Sequence, residues 1–235
     1  MYPPCKRESS AQVRMILPKI FQPYYCENLV RLGKDNDGGY LVNKSDIEKS
    51  KKLISFGIKD DWSFEEDFIK INDCAIDAYD GTINADDEVK LKTFFGGNKI
   101  YIPKNIGNKQ NQISFDSTIS EDCFLKCDIE GSEYDILDDI IINTKKLTGI
   151  VIEFHDIQYY DQFNLITNFI GKIDQKLVHV HINNCSYAES DKGCIPYVVE
   201  LTFTSSQNIE WKEVKLPHVL DMPNCAERDD FRIMF

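Results

Sequence analysis

Apolar residues recur along this chain in two rhythms. Short runs rich in β-branched and aromatic residues read as strands at Lys52–Gly57, Cys74–Tyr79, Lys99–Ile102, Cys123–Cys127, Gly149–Phe154, Leu177–Ile182 and Tyr197–Phe203. Between them the spacing widens to that of helices. Ser63–Ile69 opens as a helix with a Ser cap and an acidic first turn, with Ser63 and Glu66 at capping-box spacing. Tyr134, Ile136, Leu137, Ile140 and Ile141 outline another, as do Phe163, Ile166, Phe169 and Ile170. Strands alternating with helices predict a mainly parallel sheet covered by helices on both faces. No helix is evident between the last two strands, so a hairpin-like connection through Asp191-Lys192-Gly193 makes the final strand antiparallel. The repeating part is one domain over residues 51–235, preceded by an extension over residues 1–50 that carries the loop Asp35-Asn36-Asp37-Gly38-Gly39-Tyr40.

Composition narrows the classes. Against 27 Lys and Arg stand 39 Asp and Glu, a net charge of -12. Nucleic-acid binding draws on basic side chains that neutralise phosphates, so a nucleic-acid partner is not expected. No apolar run approaches the roughly 20 residues of a membrane span, and the start Met1-Tyr2-Pro3-Pro4-Cys5 lacks the apolar core of a secretory signal. A cytoplasmic protein is expected, with its eight scattered cysteines reduced and mostly structural. No CxxC pair occurs, which disfavours a zinc-thiolate site.

In an open α/β sheet, ligands bind beyond the carboxyl ends of the strands, where loops meet helix N-termini. The polar residues at those positions are Gly57 with Lys59-Asp60-Asp61, Asp80, Asp128 with Glu130, Glu153 with His155, and His181 with Asn183 and Asn184. The segment Ile113-Ser114-Phe115-Asp116-Ser117-Thr118-Ile119, followed by Phe124-Leu125-Lys126-Cys127-Asp128-Ile129-Glu130-Gly131-Ser132-Glu133-Tyr134, resembles the FkbM-like branch of class I S-adenosylmethionine-dependent methyltransferases. The resemblance implies a Rossmann-like sheet of seven strands with one antiparallel. It also implies S-adenosylmethionine as methyl donor and a sugar hydroxyl as acceptor, in a nucleotide-linked precursor of a surface polysaccharide. Carried over by residue, Gly57 lies under the methionine part of the donor, Asp80 holds the ribose hydroxyls, and Asp116 lies near the adenine. Glu130 belongs to the same cofactor set. The family's first loop is richer in glycine than Ser55-Phe56-Gly57-Ile58-Lys59. Gly39 and Tyr40 of the second glycine-containing loop can compensate by letting backbone approach the ligand, or can belong to an ordinary turn.

An alcohol attacks poorly while protonated, so a base or an acidifying metal is expected at the acceptor end. His155 is the leading base, with Asp128 and His181 as further catalytic candidates; His155 can equally be a histidine tied to a neighbouring carboxylate. Glu153 and His155 share a strand face, as do His179 and His181. Asp128, Glu153, His155 and His181 make a candidate set for Mg²⁺ or Mn²⁺. The Asn183-Asn184 segment carries short polar groups suited to sugar hydroxyls or to turning. The tail Leu216–Asn224 either wraps the fold or covers the acceptor pocket, and Trp62, Tyr159 and Tyr160 stack on a ligand or fill the rim. A metal-dependent glycosyltransferase and a catalytically inactive cofactor- or sugar-binding module are the alternatives. A nicotinamide oxidoreductase is disfavoured, because GxGxxG is missing after the first strand. The oligomeric state stays open, a homo-oligomer included.

Overall fold

The computed structural model describes residues 14–190, 193–207 and 209–235. The chain start, Asp191, Lys192 and Asn208 lie outside them, Asp191 and Lys192 belonging to the expected hairpin-like connection. The elements are β1 (Arg14–Ile16), β2 (Leu29–Leu32), β3 (Tyr40–Asn43), α1 (Lys44–Glu48), β4 (Lys52–Phe56), α2 (Ser63–Ile71), β5 (Ala75–Tyr79), α3 (Ala85–Phe94) and β6 (Lys99–Ile102). They continue as β7 (Cys123–Cys127), α4 (Leu137–Asn143), β8 (Leu147–Phe154), α5 (Tyr160–Lys172), β9 (Lys176–Ile182), β10 (Tyr187–Ser190), β11 (Gly193–Pro196), β12 (Val199–Thr204) and β13 (Arg232–Met234).

Seven strands form one sheet in the order β6-β5-β4-β7-β8-β12-β9. Every pairing from β6 through β8 is parallel, while β12 runs antiparallel to both β8 and β9. This is the expected architecture. The order β10-β11 is a separate antiparallel ladder on the way to β12, which accounts for the change of direction.

The central strands are buried on both faces, so they read as continuous apolar runs. One face packs Ile152, Phe154, Leu201 and Phe203 against Ile140 of α4 and Ile166 and Phe169 of α5. The other packs Leu53, Ile76, Phe124 and Val151 against Ile47 of α1, Phe64 and Phe68 of α2, and Leu91 of α3. Leu32, Tyr40 and Val42 of the antiparallel β2-β3 pair belong to that second cluster. Toward β12 the second face turns polar. Thr202 Oγ1 donates to the Leu41 carbonyl at 2.6 Å, and Asn43 Nδ2 donates to Thr204 Oγ1 at 3.0 Å.

Two local expectations change. Ser63 is the first helical residue of α2 rather than its cap, and the capping box is not formed. Its amide instead donates to Asp61 Oδ1 at 3.1 Å, while its hydroxyl accepts from Lys34 N at 2.9 Å. Nor are all cysteines thiols: Cys185 and Cys225, 40 positions apart, form a disulfide across a Cα separation of 5.2 Å. Folding brings the two together, and no spacing rule within the sequence reveals it. Among the described residues, the buried Cys26, Cys74, Cys123 and Cys127 are thiols.

Candidate active site

From β4 the sheet order runs outward through β5 and β6 and then returns to β7, so the loops after β4 and β7 diverge. Such a switch point opens a cleft at the carboxyl ends of the strands. Its floor is set by Gly57, whose φ is +76° and whose missing Cβ would lie 1.6 Å from the Asp128 carbonyl oxygen. Only glycine permits that backbone conformation and that approach together. The buried Lys126 ammonium donates to the Gly57 carbonyl from beneath. The Asp80 carboxylate fixes the rest of the turn. Its Oδ2 accepts from Ile58 N at 3.1 Å and Lys59 N at 2.8 Å, and its Oδ1 accepts from Thr82 N at 2.7 Å and Thr82 Oγ1 at 2.6 Å. The resulting cleft, about 420 Å³, is lined by Gly57, Lys59, Asp80, Asp128, Glu130 and Ser132 among others.

Beside Asp128, which lines this cleft, the strand ends bring carboxylates and an imidazole together. Asp128, Glu153 and His155 each offer a ligand atom, all within 4.8 Å of one another. His155 Nε2 lies 3.5 Å from Glu130 Oε2, 3.8 Å from Glu153 Oε1 and 3.9 Å from Asp128 Oδ1. His155 Nδ1 faces Glu133 Oε1 at 3.1 Å. That carboxylate also accepts from Ile129 N at 3.0 Å and from Gly131 N. An acceptor already serving two backbone donors leaves Nδ1 as the donor, which turns Nε2 toward the acids.

Tyr40 joins the cluster from β3. Its hydroxyl lies 2.9 Å from Asp128 Oδ2 and 2.9 Å from Glu153 Oε2, yet a phenol carries one proton. The second contact therefore needs another proton or a cation among these oxygens. Burial, opposed by Lys126 and His155, raises the Asp128 carboxyl above its ordinary range; burial together with Asp128 and Glu200 raises Glu153 well above it. Burial alone would lower the His155 imidazole, but Glu133, Glu153 and Asp128 outweigh it and hold it up to about 9. The site favours positive charge at Nε2.

The remaining predicted residues do not line the cleft. Gly39 and Tyr40 are outside the cleft lining; the space over Gly39 is filled by the Arg31 guanidinium, which an added Cβ would meet at 2.3 Å. Arg31 in turn donates to the carbonyls of Lys34 and Asn36, shaping the loop before β3. Asp116 is also outside the lining and accepts from Asn143 Nδ2 at 2.7 Å. His181 does not join the convergent trio. It is held 3.3 Å from Glu200 Oε2 and 3.0 Å from Asp230 Oδ2, two strands away on β9. His179 Nε2 lies 3.0 Å from Asp221 Oδ1, so the tail packs over the polar face of β9 and β12. Tyr159 and Tyr160 are exposed, and Trp62 packs at the edge of the second core cluster. Lys126 and Glu133 escaped the search for residues after strand ends, because one lies inside β7 and the other six residues beyond its end.

A seven-stranded sheet with a single reversed strand and a glycine-floored cleft at its switch point is the Rossmann-like arrangement of class I methyltransferases. The particular family follows from the sequence: residues 22–188 match the methyltransferase FkbM domain, and the chain belongs to that family of S-adenosylmethionine-dependent methyltransferases. Solved structures of similar shape are only distantly related. Precorrin-6y C5,15-methyltransferase from Geobacter metallireducens GS-15 is 14% identical over 68% of this chain and 84% of that one, with a TM-score of 0.42. TYW2 from M. jannaschii, solved with AdoMet, is 13% identical over 77% and 88%, with a TM-score of 0.40. An rRNA methylase from Streptococcus thermophilus is 10% identical over 70% and 92%, with a TM-score of 0.43. A search of curated protein sequences returned no match.

Proposed function

We propose that this methyltransferase alkylates a hydroxyl oxygen of a sugar, carried as a nucleotide-linked precursor of a surface polysaccharide, with Mg²⁺ or Mn²⁺ held by Asp128, Glu153 and His155. The observation that carries the reading is the convergence of two carboxylates and one imidazole, one of them the cleft-lining Asp128, with Glu133 fixing the far ring nitrogen. A carboxylate behind a histidine is the usual support for a metal-bound imidazole. The same acids that keep Nε2 positively charged would favour a divalent cation in place of its proton. Such a cation would act as a Lewis acid, lowering the pKa of the acceptor hydroxyl. It would also let a strongly acidic protein receive a diphosphate.

The chain's own residues supply the rest. Gly57 and the Asp80-held turn position the donor, with the Asp80 carboxylate toward its ribose. Because four protein donors already occupy the four lone-pair positions of Asp80, the Thr82 hydroxyl turns away when the ribose binds. Glu133 and Tyr40 hold His155, Asp128 and Glu153 in place, so the acceptor oxygen can be aligned with the methyl carbon for in-line displacement. The net charge of -12 argues against RNA as acceptor. In this reading the reaction takes place in the cytoplasm, where the Cys185–Cys225 pair answers to the local thiol poise.

The test is calorimetric titration with Mg²⁺ and Mn²⁺, followed by methyl transfer from labelled S-adenosylmethionine to a panel of nucleotide-sugars. Cation binding that disappears in Asp128→Asn, with methyl transfer abolished by chelation, is the expected result. Transfer undiminished by chelator would remove the metal. Sugar transfer without S-adenosylmethionine would favour the glycosyltransferase alternative, and S-adenosylhomocysteine binding without turnover on any acceptor would favour an inactive binding module.

A further inference from the structure

Beyond the cofactor cleft, ionisable residues line up in register across the sheet. Glu153 on β8 stands opposite Glu200 on β12, which stands opposite His181 on β9. Asp128 follows Cys127, the partner of Ile152, and so extends the same row on β7. Glu200 therefore lies two strand spacings from Asp128, roughly 10 Å. Above it, three segments far apart in sequence meet. Asn224 of the tail donates through Nδ2 to Glu200 Oε1 at 3.0 Å and to Asp37 Oδ1 at 3.0 Å. Asn183, just after β9, donates to the same Asp37 oxygen at 3.4 Å.

Two features of this junction point to a ligand. Asn224 is 6% exposed, and its Oδ1 is buried with no hydrogen-bond partner. Both neighbours of its other amide atom are carboxylate acceptors, so the NH₂ must face them and the amide cannot be turned to relieve the oxygen. A buried acceptor left unpaired costs about 1–3 kcal/mol, and a donor from outside the chain would remove that cost. Asp37 is exposed and uses only Oδ1 in the junction, which leaves Oδ2 as a second acceptor at the rim. The disulfide adds rigidity where it is needed: Cys185 is two residues from Asn183, and Cys225 adjoins Asn224.

We propose that Asp37, Asn183 and Asn224 form a subsite for the non-reacting hydroxyls of the acceptor, one strand beyond the acid cluster, with the Cys185–Cys225 disulfide clamping its two asparagines. The inference rests on the sugar-hydroxyl reading above. Two spare acceptor oxygens, Asn224 Oδ1 and Asp37 Oδ2, suit a vicinal diol, whose two hydroxyls can both donate. Its distance from Asp128 matches a ring that presents one hydroxyl to the acid cluster and others to the subsite.

The test uses the full chain saturated with S-adenosylhomocysteine and follows saturation transfer to UDP-glucose, GDP-mannose and the corresponding methyl glycosides. Asp37→Ala removes an exposed side chain, and Asn224→Ala removes the buried amide. At least tenfold weaker binding of the bound sugar in both variants, with S-adenosylhomocysteine affinity within twofold of wild type, is the expected outcome. In turnover the same variants should raise the acceptor KM and leave kcat within threefold. Sugar binding that both variants retain at wild-type strength overturns the subsite and leaves the sugar reading intact. If no sugar contacts the wild-type protein while S-adenosylhomocysteine does, both fall together.

Discussion

Replacing Asp80 by Asn tests whether one carboxylate organises the cleft proposed to hold the cofactor. The acid is 6% exposed and accepts from four donors, two on each oxygen. An amide can keep its oxygen toward Ile58 N and Lys59 N only by turning its NH₂ toward Thr82. There the threonine hydroxyl can rotate to accept, but the Thr82 N–H cannot. One charge-assisted bond, worth about 1.5–3 kcal/mol, is lost, and the two retained bonds change from a charged to a neutral acceptor at a cost of about 1 kcal/mol each. Water reaches the partly buried Thr82 side and recovers some of this, so the expected loss of stability is about 2–4 kcal/mol. The turn that carries Gly57 and Lys59 loosens, and S-adenosylhomocysteine should bind at least tenfold more weakly. Urea unfolding at constant m and calorimetric titration of the same sample measure the two effects separately. An unfolding midpoint and an affinity both equal to wild type would refute the role assigned to Asp80.

Other outcomes follow from equally local features. Gly57→Ala should lose more than the roughly 1–2 kcal/mol that left-handed backbone costs a non-glycine residue, because the added carbon meets the Asp128 carbonyl; denaturant unfolding checks it, and a variant as stable as wild type would contradict that approach. Tyr40→Phe removes the hydroxyl shared by Asp128 and Glu153 and should cost about 1.5–3 kcal/mol in thermal unfolding, with no loss expected if that hydroxyl were idle. The His181 pH dependence has a definite sign. Burial disfavours its charge, but Glu200 and Asp230 raise its folded pKa well above 6.5, so its stabilisation is complete below 6.5 and declines as pH rises through the folded value. Stability measured from pH 6 upward should fall more steeply in wild type than in His181→Gln, and parallel curves would count against the pairing. Under the proposed seating of the ribose on Asp80, Thr82→Ala should leave S-adenosylhomocysteine binding equal or tighter, since it frees a lone pair on that carboxylate; weaker calorimetric binding would count against that seating.

Much of the fold and half of the candidate site can be read along the chain. Strand period, helix spacing and the polar residues that end β4, β5, β7 and β8 are local properties, because a strand running into a helix leaves its last residues at the cleft wherever the sheet is parallel. Gly57, Asp128, Glu130, Glu153 and His155 were accessible on those grounds, and the antiparallel course of β12 followed from the missing helix before it. The tertiary structure alone decided what depends on distance across the chain. It set Glu133 behind His155 and Lys126 beneath Gly57, gave Tyr40 two carboxylates at once, and kept His181 with Asp230 instead of the acid cluster. It filled the space over Gly39 with Arg31 rather than leaving it to a ligand, and it joined Cys185 to Cys225. Periodicity encodes which way a side chain faces, while its partner on that face is fixed only when strands distant in sequence come into register.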